Sequence, residues 1–349
     1  MTVLAGTAIL EIAFWQSFTE RVVDYEDDAC TEGPRELTLQ PDLWRNPMNH
    51  NITIQPADTP EAEARFRHQL TLYFRQDIFP GESPETALPP GYWQNIDALH
   101  RRAENPLHYL FFRRDGVEIG LTMTVLYLTE DQKQFILEFC VYPAFRGNGT
   151  GTACAEALLQ WGWKKGAAFF ELNAEDPRRV HFWSRLGFRP NGRNQSGPLM
   201  LLPPEGKIPF TVSALTDTGE LWDLESSFLA ETRKPPLELD TFDRLSDAID
   251  TGKILFLAAR RLNRPVGICS VSPFYLASAG SAAAMLDNLY VEPCFRRQGA
   301  ARALVQAARD WCRQKGCRNL FAGCPDDGTG LYAALGFTAR PGQIWEMTL

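Results

Sequence analysis

The sequence predicts two consecutive α/β domains, each a mixed, mostly antiparallel sheet flanked by helices, and three observations carry that prediction. The first is length, since 349 residues exceed what one hydrophobic core usually organises. The second is Val141-Tyr142-Pro143-Ala144-Phe145-Arg146-Gly147-Asn148-Gly149-Thr150-Gly151, a glycine-rich stretch between an apolar strand-like run and an amphipathic helix-like run. The third is its return: Val141, Pro143, Phe145, Arg146 and Gly149 recur as Val291, Pro293, Phe295, Arg296 and Gly299, each at an offset of 150 residues. The register survives beyond the loop. Trp161, Lys165 and Gly166 recur as Trp311, Lys315 and Gly316, and Leu186-Gly187-Phe188 returns as Leu335-Gly336-Phe337 at an offset of 149. A period of this size is that of a whole domain, so the chain is an internal duplication and not a solenoid.

Each glycine-rich stretch has the properties of a phosphate cradle. Glycines leave backbone N–H groups unobstructed, and the positive end of the following helix lies behind them. A flexible turn into a helix is the alternative reading of one such loop, but two copies in register are hard to reconcile with it.

At these residues the chain resembles the GNAT acetyltransferase superfamily, whose signature is Gln/Arg-x-x-Gly-x-Gly/Ala after a Val-x-Pro strand end. Arg146, Gly149 and Gly151 fill it in the first half, and Arg296, Gly299 and Ala301 in the second. The family's later aromatic and Leu-Gly-Phe element is matched by Phe182-Trp183 with Leu186-Gly187-Phe188, and by Leu331-Tyr332 with Leu335-Gly336-Phe337. The expected layout is an N-terminal extension over 1–50, one domain over 51–203 and a second over 204–349.

Within the extension, Ile9, Leu10, Phe14, Phe18 and Val22 suit one helix face, while Thr7 to Trp15 reads equally as a buried strand. Asp24 to Pro34 is an acidic loop. Asn51 to Pro56 alternates as a strand and Thr59-Pro60-Glu61 starts a helix. Phe79 to Trp93 reads as a proline-rich, acidic and aromatic loop; in the family this connection shapes the acceptor pocket. Strands follow at His108–Arg113, Gly120–Leu128 and Gln134–Val141, with Arg114-Asp115-Gly116 as a tight hairpin turn. A helix over about Gly151–Lys165, a strand at Ala167–Asn173, a short helix around Phe182–Leu186 and a strand at Leu199–Leu202 complete the first domain. Pro203-Pro204-Glu205-Gly206 breaks both periodicities and is the linker candidate. The second domain restarts with a strand at Ile208–Val212, a helix at Gly219–Thr232 and a proline break at Lys234-Pro235-Pro236. Strands at Ile254–Ala259, Pro265–Phe274 and Ala284–Val291 and a helix at Arg302–Lys315 then repeat the first domain's order.

Composition narrows the partners. A formal charge of −8 with a pI near 5.3 argues against nucleic acid, which needs clustered Lys and Arg, and favours cationic amines. The eight cysteines include no Cys-x-x-Cys pair and no Cys/His group at zinc spacing, so reduced, mostly buried thiols and no metal are expected. The opening residues lack a basic segment before their apolar run, and no stretch reaches the roughly 20 apolar residues of a spanning helix. A cytoplasmic protein without a membrane partner is expected.

What the resemblance implies is acetyl transfer from acetyl-CoA to an amine-bearing small molecule or peptide. The cofactor would lie along Val141, Arg146, Gly147, Asn148, Gly149, Thr150 and Gly151 in one half, and along Val291, Arg296, Arg297, Gln298, Gly299, Ala300 and Ala301 in the other. Val141 and Val291 would offer a backbone N–H to the thioester oxygen. Tyr332 matches the family's tyrosine that protonates the leaving thiolate, whereas Trp183 stands in its place in the first half and has no acid proton. Glu138, a carboxylate in an apolar run, is the candidate general base, with a solvent-facing strand residue as its alternative. Its counterpart Asn288 is no base, leaving Asp287 or Glu292, and His181 is a further donor candidate. Two other functions remain: an acyl-CoA-binding sensor with one or both halves inactive, and an aminoacyl-tRNA-dependent transferase.

Overall fold

The computed structural model describes residues 52–80, 91–194, 196–204, 206, 208–215, 218–235, 237–323 and 329–339. Two compact units divide the chain, Met1–Gly206 and Lys207–Leu349. The readings made above for residues 1–50 and for the tip of the acidic, proline-rich loop lie outside the described residues.

The N-terminal unit contains strands β1 (Ile52–Pro56), β2 (Leu107–Arg114), β3 (Val117–Tyr127), β4 (Lys133–Val141), β5 (Phe169–Asn173), β6 (Arg189–Asn194) and β7 (Gly197–Leu202). They form one sheet in the order β1-β2-β3-β4-β5-β7-β6. Only β4 and β5 are parallel; the other neighbours are antiparallel. The β2–β3 turn is tight because Asp115 and Gly116 take φ of 50° and 80°, the left-handed pair that a two-residue hairpin requires.

Helices cover both faces of this sheet. On one lie α1 (Pro60–Tyr73), continued by a π-helical turn over Phe74–Ile78, and α2 (Tyr92–His100). Phe66, Leu70 and Ile96 of these elements pack with Phe111 and Leu121 of the sheet. On the other lie α3 (Thr150–Lys165) and α4 (Pro177–Arg185), whose Leu158, Leu159 and Trp183 pack with Phe112, Ile119 and Phe188. Burial of each such side chain contributes about 1.5–3 kcal/mol. Their ends are set locally. Thr59 accepts from the Ala62 N–H ahead of Pro60, Asp176 accepts from the Arg178 and Arg179 N–H groups ahead of Pro177, and Gly166 closes α3 with φ of 106°.

The C-terminal unit repeats the order with β8 (Thr211–Ala214), α5 (Thr218–Glu231), α6 (Leu239–Asp250), β9 (Leu255–Arg261), β10 (Arg264–Leu276), β11 (Ser281–Val291), α7 (Ala300–Gln314), β12 (Asn319–Ala322) and α8 (Thr329–Ala334). Its sheet runs β12-β11-β10-β9-β8, with β11 and β12 parallel. Two mixed sheets flanked by helices are the fold class the sequence predicts.

Several elements differ from the sequence reading. Tyr92 and Trp93 begin α2 instead of ending a loop, because Tyr92 and Ile96 fall on one apolar helix face and are buried. β6 escaped notice because it is a polar edge strand, and Pro190 is tolerated there. Helix α6 follows the Lys234-Pro235 break. Cys140, Cys154, Cys269, Cys294 and Cys312 are free and buried. Among the described residues no helix is long and apolar enough to cross a membrane.

Candidate active site

The site begins where two parallel neighbours part. β4 pairs with β5 only over Lys133–Phe135 and Phe169–Glu171, so β4 from Ile136 to Val141 runs on past the pairing. β11 does the same, pairing with β12 over Ala283–Leu286 and continuing past that pairing to Val291, with no partner on that side among the described residues. On the other side of each strand the ladder stays closed. Tyr142 N–H donates to Ile119 O at 2.9 Å and Glu292 N–H to Val266 O at 2.9 Å. Antiparallel alternation therefore turns the Val141 and Val291 N–H groups toward the open edge. Opposite each valine stands a glycine, Gly120 or Gly267. A Cβ there would lie 2.3 Å from Cys140 O or 2.7 Å from Tyr290 O, so only glycine lets these strands approach.

Beyond the strand ends the two units match in detail. Short 3₁₀ turns at Pro143–Phe145 and Pro293–Phe295 lead into the loops. Arg146 Nε donates to Val141 O and Arg296 Nε to Val291 O, both at 2.8 Å. The guanidinium heads are held by carboxylates: Arg146 by Asp77 at 2.8 and 2.5 Å, and Arg296 by Glu231 at 2.5 Å. These arginines brace the strand end against the preceding helix. Asp77 and Glu231 carry no sequence signal of their own, because each lies more than 60 residues from its partner.

Gly147, Asn148 and Gly149 have φ of 91°, 47° and 75°, and Arg297 and Gly299 have 61° and 101°. Gly149 and Gly299 are the N-caps of α3 and α7, and neither helix has a side-chain cap, unlike α1 and α4. First-turn amides without a side-chain cap are a site for an anion, although the Thr150 N–H already donates to Gly147 O at 3.0 Å. Thr150 and Ala300 are buried at the first helical position. A Cβ on Gly151 would touch Phe182 at 3.4 Å, and Ala301 already carries one. Gln298 is occupied differently, donating to Cys294 O at 2.9 Å and accepting from Arg261 at 2.7 Å.

A cleft in the N-terminal unit is lined by Tyr73, Asp77, Phe139, Cys140, Val141, Arg146, Asp176, Arg178 and Arg179. Glu138 lies on the same open stretch of β4. Burial pushes its carboxyl up to about 8, with Arg179 pulling it down. The same burial, reinforced by the Glu138 charge, raises the Tyr73 hydroxyl above its ordinary range, keeping it protonated.

The aromatic positions part company. Trp183 is 6 % exposed and sits between Phe139 and Phe188, with ring centroids 5.2 and 5.1 Å away. Tyr332 packs the same way against Phe337 at 5.5 Å but is only half-buried. His181 is exposed. Of the remaining carboxylates near β11, Glu292 is bound by Arg264 at 2.8 Å and Asp287 accepts from the Asn288 N–H at 2.8 Å. Buried Glu225, reached by the amide of Asn288, is a group the sequence reading missed. Among the described residues no cluster of His, Cys, Asp or Glu suits a metal ion.

The model of the acetyltransferase (GNAT) family matches the chain twice, over residues 71–188 and 219–337. The chain belongs to that family, as a tandem duplication. Solved structures to which the chain is similar include an acetyltransferase of Trypanosoma brucei, 22% identical, covering 40% of this chain and 100% of its own with a TM-score of 0.35. An aminoglycoside acetyltransferase from an uncultured soil metagenomic sample, in complex with sisomicin, is 18% identical over 40% of this chain and 96% of its own, with a TM-score of 0.37. Ribosomal-protein-alanine N-acetyltransferase of Brucella melitensis biovar Abortus 2308 is 20% identical over 40% and 99%, with a TM-score of 0.35.

Proposed function

We propose that the chain is an acetyl-CoA-dependent N-acetyltransferase acting on a primary amine of a small cationic molecule or peptide, with both units binding acetyl-CoA and the C-terminal unit performing turnover. The observation that carries this reading is the arrangement present in both units: an open strand edge presenting the Val141 or Val291 N–H, running into a left-handed glycine loop and an uncapped helix. The loop amides would hold the pyrophosphate, and the pantetheine arm would lie along the open edge as a surrogate strand. The valine N–H would then donate to the thioester oxygen and to the oxyanion that replaces it. Tyr332 would protonate the departing thiolate. Trp183, enclosed by phenylalanines at the matching position, has no such proton to give, which favours binding without turnover in the N-terminal unit.

Titration calorimetry with acetyl-CoA tests the binding, with two sites per chain expected. Thiol release across a panel of amines tests the chemistry. No binding at either unit sinks the reading, and binding at both without thiol release from any amine leaves a sensor of acyl-CoA.

A further inference from the structure

The C-terminal unit contains a carboxylate outside the family's signature positions, at the place where the N-terminal unit carries Glu138. Glu225, on α5, is 5 % exposed. Asn288 Nδ2 donates to its Oε1, while its Oε2 is buried and has no hydrogen-bond partner among the described residues. Asn288 is the counterpart of Glu138 at the offset of 150 residues. It lies on the open stretch of β11, at an irregularity in the register with β10, and is held with φ of 51°. Ser270 Oγ lies 3.3 Å from its Oδ1 and fixes the amide with its Nδ2 toward Glu225. Each unit thus sets one carboxylate against the same strand position, carried by the strand in one and by the facing helix in the other.

Leaving a buried carboxylate oxygen without a donor costs free energy on the order of 1–3 kcal/mol or more. A residue needed only to orient Asn288 would incur less of that cost as glutamine, whose carbonyl accepts the same bond and whose uncharged amide, though equally unpaired there, is cheaper to bury than a carboxylate. The alternatives are already engaged, Glu292 by Arg264 and Asp287 by its own strand.

We infer that Glu225 receives the acceptor ammonium of the C-terminal unit and takes its proton, an assignment that rests on reading that unit as an acetyl-CoA-dependent transferase. The ammonium N–H donates to Oε2 and transfers its proton, leaving a neutral amine and a carboxylic acid. The amine lone pair forms the N–C bond at the thioester carbonyl. As the tetrahedral intermediate collapses, the C–S bond breaks with its electrons on sulfur. Tyr332 supplies the thiolate's proton and recovers one from the nitrogen, and Glu225 returns its own to solvent. Burial pushes the Glu225 carboxyl up to about 7. The Asn288 bond opposes this, the Asp287 charge adds to it and Lys234 opposes it, so the group exchanges protons near neutrality.

The test uses two nucleophiles of different basicity with acetyl-CoA and the full chain. Propylamine is an ammonium at pH 7 and needs a base, whereas hydroxylamine is already neutral. Glu225→Gln is expected to lower kcat/KM for propylamine by roughly 10²- to 10⁴-fold and for hydroxylamine by less than about tenfold. Moving the carboxylate to the strand, in the double variant Glu225→Gln/Asn288→Glu, is expected to restore at least about tenfold of the propylamine rate. Equal losses on both nucleophiles, no loss on either, or a double variant as slow as the single one each overturn the assignment. Wild-type protein that binds no acetyl-CoA and releases no thiol with either nucleophile overturns the functional reading, and this assignment with it. Wild-type release matched by Glu225→Gln overturns the assignment alone.

Discussion

At the end of β4 the N-terminal unit has a glutamate on the strand and a tryptophan on α4. At the end of β11 the C-terminal unit has an asparagine on the strand, a glutamate on the facing helix and a tyrosine on α8. The frame around these differences is the same in both units: glycine opposite the last valine, an arginine bonded to that valine's carbonyl, and a glycine N-cap with left-handed φ. The contrast separates two kinds of constraint. The frame is fixed by backbone geometry, which few residues satisfy, so it recurs residue for residue. The groups proposed to handle protons are constrained only by where an atom must arrive, and two different elements could deliver it.

The largest difference between the units is expected at the aromatic pair. Tyr332→Phe keeps the ring against Phe337 and removes only the hydroxyl, so thiol release should fall roughly 10²- to 10⁴-fold with acetyl-CoA affinity little changed. Trp183→Phe should leave thiol release nearly intact, but it opens space beside Phe139 and Phe188 and should cost on the order of 1–3 kcal/mol of stability. A melt and a thiol-release assay on both variants read this directly. Full activity in Tyr332→Phe would move the chemistry to the N-terminal unit and make Glu138 the residue to pursue.

The loop part of that frame was legible in the sequence because it is written in contiguous residues, a valine, an arginine and spaced glycines, repeated, whereas Gly120 and Gly267 meet their valines only once the strands pair. Most of the strands, with helices α3, α5 and α7, followed from their apolar periodicity, whereas α2, α6 and β12 did not. What was not legible depends on chain segments far apart. Asp77 and Glu231 acquire meaning only when α1 and α5 fold back beside the strand ends. Glu225 was invisible for the same reason, since nothing in Leu224-Glu225-Ser226 distinguishes it from a solvated helix position. β6 was missed because an edge strand need not be apolar.

Glu138 gives the comparison a pH axis. Its folded pKa, about 8, lies above the ordinary carboxylate value, so the native state holds a proton that the unfolded chain has released. Stability from this group is complete below the unfolded pKa and is lost as pH rises toward about 8. Glu138→Gln should remove that slope and gain roughly 2–4 kcal/mol at alkaline pH, allowing for the partial exposure of the side chain. Denaturant melts of the wild type and the variant at pH 5 and pH 9 check it; parallel pH profiles would show the carboxyl to be ordinarily solvated.

The loops offer a smaller, symmetrical effect. A Cβ at Gly149 or Gly299 meets nothing within 4 Å, so a valine there is resisted by the left-handed backbone, at about 1–2 kcal/mol, as well as by the ligand. Asparagine separates the two, since it tolerates that conformation, as Asn148 does next door. Gly149→Asn and Gly299→Asn should leave the melting temperature close to wild type and weaken acetyl-CoA binding about tenfold at the altered site only, by crowding the phosphates. Unchanged affinity in the double variant would remove the loops from the cofactor site.

The smallest effect belongs to the braces. Asp77→Ala and Glu231→Ala each release a guanidinium while leaving the arginine Nε bonded to its valine carbonyl. Both pairs are partly exposed, Arg146 with Asp77 at 43% and 26% and Arg296 with Glu231 at 41% and 48%, so screening holds each to about 1 kcal/mol or less. Asp77 should cost more than Glu231, because it accepts from both Arg146 nitrogens and is the less exposed carboxylate. High salt should shrink the difference. Acetyl-CoA affinity should move less than about twofold, a change under 0.5 kcal/mol, because the heads of Arg146 and Arg296 are bonded to these carboxylates and the proposed phosphate contacts are backbone amides of the loop. A tenfold change in affinity would show that the freed guanidinium reaches the cofactor, and that the carboxylate governs its access.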